Sequence, residues 1–210
     1  MKTITCYLDF ISPYAYLAFE ALPQQLMGVS HRVVYKPVLF AGMLKHHGQL
    51  GPAEIASKRE WTYRQVVWQA KQLDVPFDMP QAHPFNPLVL LRLAVACSAD
   101  GAPNRYVCET IFHHVWQGGA AADDATRLQA LAQQLKPARA SDAPDVKAQL
   151  KANTEEAIAC GAFGVPTFCV DGKLFWGLDA LPMMRAYLDG DPWFDSAWNN
   201  AASIAQGVTR

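Results

Sequence analysis

The chain has 210 residues, 51% of them hydrophobic, and its 18 basic and 19 acidic side chains leave a formal net charge of −1. That length holds one domain, or one domain carrying a large insertion, with enough apolar mass for a proper core. The near-zero charge offers no basic face for nucleic acid or an anionic membrane. No window approaches the roughly 20 apolar residues of a membrane span.

The opening MKTITCYLDF alternates apolar with polar and lacks the unbroken apolar stretch of a secretory signal, so a cytoplasmic protein is expected. Residues 3–8 read as a first strand. Ser12 followed by Pro13 starts a helix, a capping residue before a proline at the first helical position. Apolar residues at Tyr16, Leu17, Phe19, Leu22 and Leu26 give that helix one buried face, and Gly28 ends it. Residues 32–39 form a second strand, with Pro37 pointing to a sheet edge or a strand end. Strand, helix, strand makes a crossover unit with two parallel strands.

From about Phe40 to Cys160 the periodicity is helical, over 53–74, 86–99, 103–117, 124–135 and 142–160. The breaks fall at Val75-Pro76, His83-Pro84, Gly101-Ala102-Pro103 and Gly118-Gly119. Strand character returns in residues 167–170 and 173–176 around Asp171-Gly172, a strong hairpin signal. A helix then runs to Leu188, and the tail 191–210, with Trp193, Phe194 and Trp198, is expected to pack back on the body. The domain reading is residues 1–40 with 161–210 as one unit, and 41–160 as an inserted helical unit.

Five cysteines, Cys6, Cys97, Cys108, Cys160 and Cys169, include no Cys-x-x-Cys pair and no zinc-ligand spacing. They read as buried, reduced thiols. The adjacent pairs His46-His47 and His113-His114 each point to different sides of a helix and cannot easily share one ion, so no metal is expected.

Two motifs carry chemistry. Gly164-Val165-Pro166-Thr167 precedes a strand; it is either an ordinary strand start or a loop with a cis Val165-Pro166 bond. In Asp9-Phe10-Ile11-Ser12-Pro13-Tyr14, Ser12 is either a plain helix cap or a group that holds an anion at the positive end of the helix.

Taken with the closing Phe175-Trp176-Gly177-Leu178-Asp179, these motifs and the element order resemble the 2-hydroxychromene-2-carboxylate isomerase family and its relatives, the kappa-class glutathione transferases. The resemblance implies an α/β, thioredoxin-like fold of DsbA type with a large all-helical insertion. It implies glutathione as cofactor, a small aromatic carboxylate as substrate, and a homodimer. Where a redox relative has its attacking cysteine stands Ser12, and three residues on stands Ala15, so the thiolate comes from the cofactor. Residue by residue, Ser12 is the catalytic group, Val165 pairs with the cysteinyl backbone of glutathione, and Trp176, Gly177, Leu178 and Asp179 receive its γ-glutamyl end. The family's Asn before the Asp and Arg after it are here Leu178 and Ala180. Its Asn-Arg pair in the insertion has no counterpart in Pro52-Ala53-Glu54.

Lys58, eighteen residues before Pro76, matches a glutathione-binding lysine of the relatives, though Lys58-Arg59-Glu60 also reads as a solvated helix face. His83, Phe85 and Asn86 fall where relatives contact aromatic substrate, and Lys45 is placed to meet its carboxylate. The implied reaction is reversible thiolate addition that opens the chromene ring, allows bond rotation, and regenerates glutathione. A transferase that consumes glutathione is the alternative.

Overall fold

The computed structural model describes residues 1–205 and 207. Strand β1 (Lys2–Leu8) leads through a tight turn into helix α1 (Pro13–Gln25), and β2 (His31–Pro37) returns parallel to β1. Six helices follow: α2 (Phe40–His46), α3 (Ala56–Gln72), α4 (Leu88–Ala96), α5 (Arg105–Trp116), α6 (Ala125–Leu135) and α7 (Pro144–Ala159). A 3-10 turn, Pro52–Glu54, precedes α3. The chain closes with β3 (Thr167–Val170), β4 (Lys173–Trp176), α8 (Leu181–Leu188) and α9 (Trp193–Ala202).

The sheet order is β2-β1-β3-β4, with β1 antiparallel to β3 and β3 to β4. Pro37 ends β2, which is an edge strand as the proline suggested. Asp171 and Gly172 both take positive φ, 49° and 78°, the backbone that a two-residue hairpin turn requires. Gly28 at φ 80° follows α1.

Two features were not anticipated. Helix α1 contains Pro23, which cannot donate to the Phe19 carbonyl one turn back; Arg105 Nη1 supplies that donor from α5 at 3.2 Å. Helix α2 lies in the stretch expected to be helical but outside the periodic segments picked out there, and its cap, Leu39, makes no side-chain bond. Its first amides are satisfied from afar, Leu39 N–H by Thr154 Oγ1 at 3.0 Å and Phe40 N–H by Asp9 Oδ2 at 2.9 Å.

One core cluster joins β1, α1, β3 and β4 to α3, α4, α5 and α7. Phe10, Tyr16, Phe19, Phe112, Phe168 and Trp116 are its largest members. A smaller cluster under β1 holds Tyr7, Val38, Met43, Ala157, Ala162 and Val165. The tail packs back through α9, where Phe194 is buried and Trp198 lies 5.6 Å from the Phe175 ring; residues 206 and 208–210 of that expectation lie outside the described residues. All five cysteines are free thiols. Cys6 and Cys108 are buried and Cys97 and Cys169 partly so, but Cys160, the cap residue ending α7, is exposed, which corrects the reading for that residue. Among the described residues no helix is long and apolar enough to cross a membrane.

Candidate active site

Ser12 has extended backbone (φ −90°, ψ 116°) and caps α1, its Oγ accepting from Ala15 N–H at 3.2 Å. The same hydroxyl donates to the Val165 carbonyl at 3.4 Å, a long bond that joins the helix start to the loop before β3. Ser12 is only 8% exposed. The Val165-Pro166 peptide is cis, the geometry expected of this loop; His83-Pro84 is cis as well. Among the described residues the N–H groups of Tyr14 and Val165 have no hydrogen-bond partner. A helix N-terminus with open amides and no acidic side chain in its first turn attracts an anion.

Behind this turn lies Asp9, fully buried. Its Oδ1 accepts from Ile11 N–H at 3.1 Å and its Oδ2 from Phe40 N–H at 2.9 Å, while its carbonyl accepts from Ser12 N–H. Burial pushes its carboxyl up to about 7, and the two backbone bonds oppose that shift only in part. The sequence reading included Asp9 in the motif but gave it no role.

The end of β4 closes one flank. Gly177 N–H donates to Pro166 O at 2.9 Å, tying the Trp176–Asp179 stretch to the cis loop. The Trp176 ring lies across Gly164, where an added Cβ would come within 2.6 Å of the indole nitrogen, and it contacts Phe163 at 4.8 Å between centroids. Gly177 has φ 95°, and the Asp179 carboxylate folds back over it. Leu178 packs into the core, and Asp179 is exposed.

Helix α3 closes the opposite flank. Tyr14 Oη donates to Gln65 Oε1 at 2.7 Å. Burial, followed by the nearby Asp179 carboxylate, pushes the Tyr14 phenol above its usual value, with Thr62 acting in the opposite sense. Lys58, Thr62 and Gln65 are spaced i, i+4, i+7, so exposed Lys58 shares the face of α3 that meets the Ser12 turn. That spacing was legible in the sequence and went unused. Lys45 is exposed on α2.

His83 is held against the Ser12 turn. Its Nε2 lies 2.8 Å from the Ile11 carbonyl, an acceptor only, so Nε2 carries the proton. Tyr63 Oη lies 2.8 Å from both Nδ1 and the His83 carbonyl oxygen, so its one proton is shared between two acceptors, and burial pulls the imidazole below its ordinary pKa. Both ring nitrogens are therefore used within the protein. Phe85 is half-buried beside His83, and Asn86 Oδ1 caps α4 by accepting from Leu88 N–H.

No protein thiol serves this turn. Burial pushes Cys6 up to about 12 and raises Cys108 well above the usual thiol value, so neither ionises near neutral pH. The place three residues after Ser12 is filled by buried Ala15.

A family model described as the DSBA-like thioredoxin domain matches residues 3–189. A glutathione S-transferase kappa 2 of Caenorhabditis elegans is 26% identical over 206 residues, covering 89% of this chain and 92% of the relative. A 2-hydroxychromene-2-carboxylate isomerase of Sphingobium xenophagum is also 26% identical, over 200 residues, covering 89% and 98%. The solved structure of a 2-hydroxychromene-2-carboxylate isomerase superposes with a TM-score of 0.77 at 20% identity, over 97% of this chain and 100% of that one.

Proposed function

Since the chain belongs to the family of DSBA-like thioredoxin domains, we propose that it is a glutathione-dependent isomerase acting on 2-hydroxychromene-2-carboxylate or a close aromatic-derived carboxylate. The observation that carries this reading is Ser12 with open amides at the start of α1, beside a cis Val165-Pro166 loop, with no cysteine in the turn. A thiol–disulfide oxidoreductase needs a dithiol where Ser12 and Ala15 stand.

The residues present fit glutathione. Val165 offers an unpartnered N–H to an extended peptide backbone. Asp179 suits the γ-glutamyl ammonium, and Lys58 suits a glycyl or γ-glutamyl carboxylate. Trp176, Gly177 and Leu178 form the wall against which the γ-glutamyl end lies. When bound, glutathione supplies the thiolate that adds to an electrophilic carbon of the substrate and later leaves it.

The chain's part is to hold that charge. The α1 N-terminus and Tyr14 N–H favour negative charge beside Ser12. The Ser12 hydroxyl exchanges its long bond to Val165 O for one to sulfur, at little cost because the 3.4 Å bond is weak. We assign the Phe85 ring to the aromatic face of the substrate and Lys45 to its carboxylate. His83, whose ring nitrogens are both bonded, shapes the wall through its ring face. Asn86, whose Oδ1 is bonded to Leu88 N–H, turns its exposed Nδ2 to the substrate as donor. A kappa-type transferase or peroxidase that consumes glutathione is the second reading, favoured by the kappa relative at equal identity.

Absorbance-monitored conversion of the chromene carboxylate tests the proposal, with product analysis separating isomer from conjugate. The wild-type protein is expected to turn over only with glutathione present and to leave it unconsumed. Ser12→Ala is expected to lower turnover by about 10- to 150-fold, one hydrogen bond to a charged group. Loss of the cap costs about 1 kcal/mol, so folding is checked first. Activity without thiol, or an unchanged rate and pH profile in Ser12→Ala, overturns the assignment.

A further inference from the structure

Glu20 on α1 and Glu109 and His113 on α5 converge where the two helices pack. One ligating atom from each lies within 4.8 Å of the other two, and all three side chains are half-buried. We propose that these residues bind a divalent transition-metal ion of the zinc class. Glu109 and His113 are one helical turn apart, so both project from one face of α5. Glu20 reaches across from α1, its Oε1 3.1 Å from His113 Nε2. The meeting is fixed by packing rather than by the polar groups themselves. The rings of Phe19 and Phe112 lie 5.1 Å apart beside it, and the Tyr16 ring stands edge-on to His113 at 6.2 Å.

One imidazole nitrogen and two carboxylates make a neutral set with a divalent ion. Three protein ligands leave a fourth position for water, the count that zinc accepts. The imidazole and the small number of oxygens disfavour calcium and magnesium. Among the described residues Arg105 is the cation paired with a carboxylate of the cluster, and its position is already determined. Its guanidinium lies 4.1 Å from the Phe19 ring centroid and donates to Phe19 O and Tyr35 Oη. It meets only Glu109 Oε1, at 3.5 Å, while Glu109 Oε2 has no partner among the described residues. Ligation through Oε2 therefore keeps the arginine contact, which then orients the carboxylate from behind. An entry path exists, since His113 also lines a cleft of about 370 Å³ with Thr110, His114, Arg127 and Gln134.

Glu20 stands eight residues beyond Ser12, about 12 Å along α1. The ion would thus clamp the helix that begins at Ser12 to α5 without entering the thiol site.

Calorimetric titration of the metal-free, full-length protein with Zn²⁺ alone tests this, independently of glutathione and of turnover. One saturable 1:1 event is expected, with a matching rise in melting temperature. Glu109→Gln and His113→Gln are each expected to weaken it by at least about 10-fold, and Cys160→Ser, which removes the exposed thiol, to leave it unchanged. Co²⁺ is expected to give d–d absorption without a thiolate charge-transfer band. Absence of a 1:1 event, wild-type affinity in both ligand variants, or a thiolate band lost in Cys160→Ser overturns the proposal. Glu20→Gln replaces either variant that fails to fold.

Discussion

Asp9 lies three residues before Ser12, and its two oxygens hold both the Ser12 turn and the start of α2. Its carboxyl titrates at about 7 in the folded chain, against about 3.9 when unfolded. The folded state therefore keeps a proton that the unfolded chain releases between those values. The resulting stability is fully present below about pH 4 and is lost as pH rises through 7. Asp9→Asn is expected to remove this dependence, flattening the fall in the urea midpoint between pH 4.5 and 7.5. An Asn variant whose profile runs parallel to wild type would assign the slope to other groups. The residue-level reading of the site was legible where one residue's chemistry decides it. Ser12 before Pro13 states a cap, and Gly-Val-Pro-Thr before a strand states the loop. His83 was placed near the site but with its bonds unforeseen, because its partners Tyr63 and Ile11 stand 20 and 72 residues away. Asn86 allows either a capping or a substrate role from sequence alone, and its Oδ1 accepts from Leu88 N–H at the start of α4 while its Nδ2 stays available as a donor.

At the scale of elements, the β3–β4 hairpin and helix α2 mark the two extremes of legibility. Asp171-Gly172 sets the hairpin through backbone preference alone, which any sequence reading can see. Gly172 has φ 78°, and an added Cβ would meet nothing within 4 Å, so Gly172→Ala isolates the conformational cost of a left-handed residue. That cost is about 1–2 kcal/mol, a fall in melting temperature of roughly 2–8 °C for a chain of this size. An unchanged melting temperature would mean that the turn relaxes to another form. Helix α2 carries no such local signal. It is capped by Thr154 and Asp9, from 115 residues ahead and 31 behind, and so exists only once α7 and β1 are in place. Pro23 was overlooked within α1 for a related reason, since its missing hydrogen bond is made good by Arg105 from α5.

Across the whole molecule, the sequence separates strand-bearing ends from a helical middle, yet one apolar cluster runs through both. Phe10 of the β1–α1 turn meets Phe112 of α5 at 4.9 Å between centroids, and the indole of Trp116 donates to the Phe10 carbonyl at 3.0 Å. A shared core of this kind ties the two sequence ranges into one cooperative unit. Tryptophan fluorescence and far-ultraviolet circular dichroism are expected to report a single, coincident urea transition. Two separated transitions would show that the helical middle unfolds on its own. The sheet order bears on how the chain is made. β1 leaves the ribosome before the other three strands but lies inside the sheet, between β2 and β3. Its β2 side can be covered early, whereas its other side waits until β3 has emerged. At 5–20 residues per second that delay is roughly 10–30 s, during which an apolar strand presents a bare edge. Nascent chains halted between α2 and α7 should therefore be the ones that a chaperone captures and that aggregate when released.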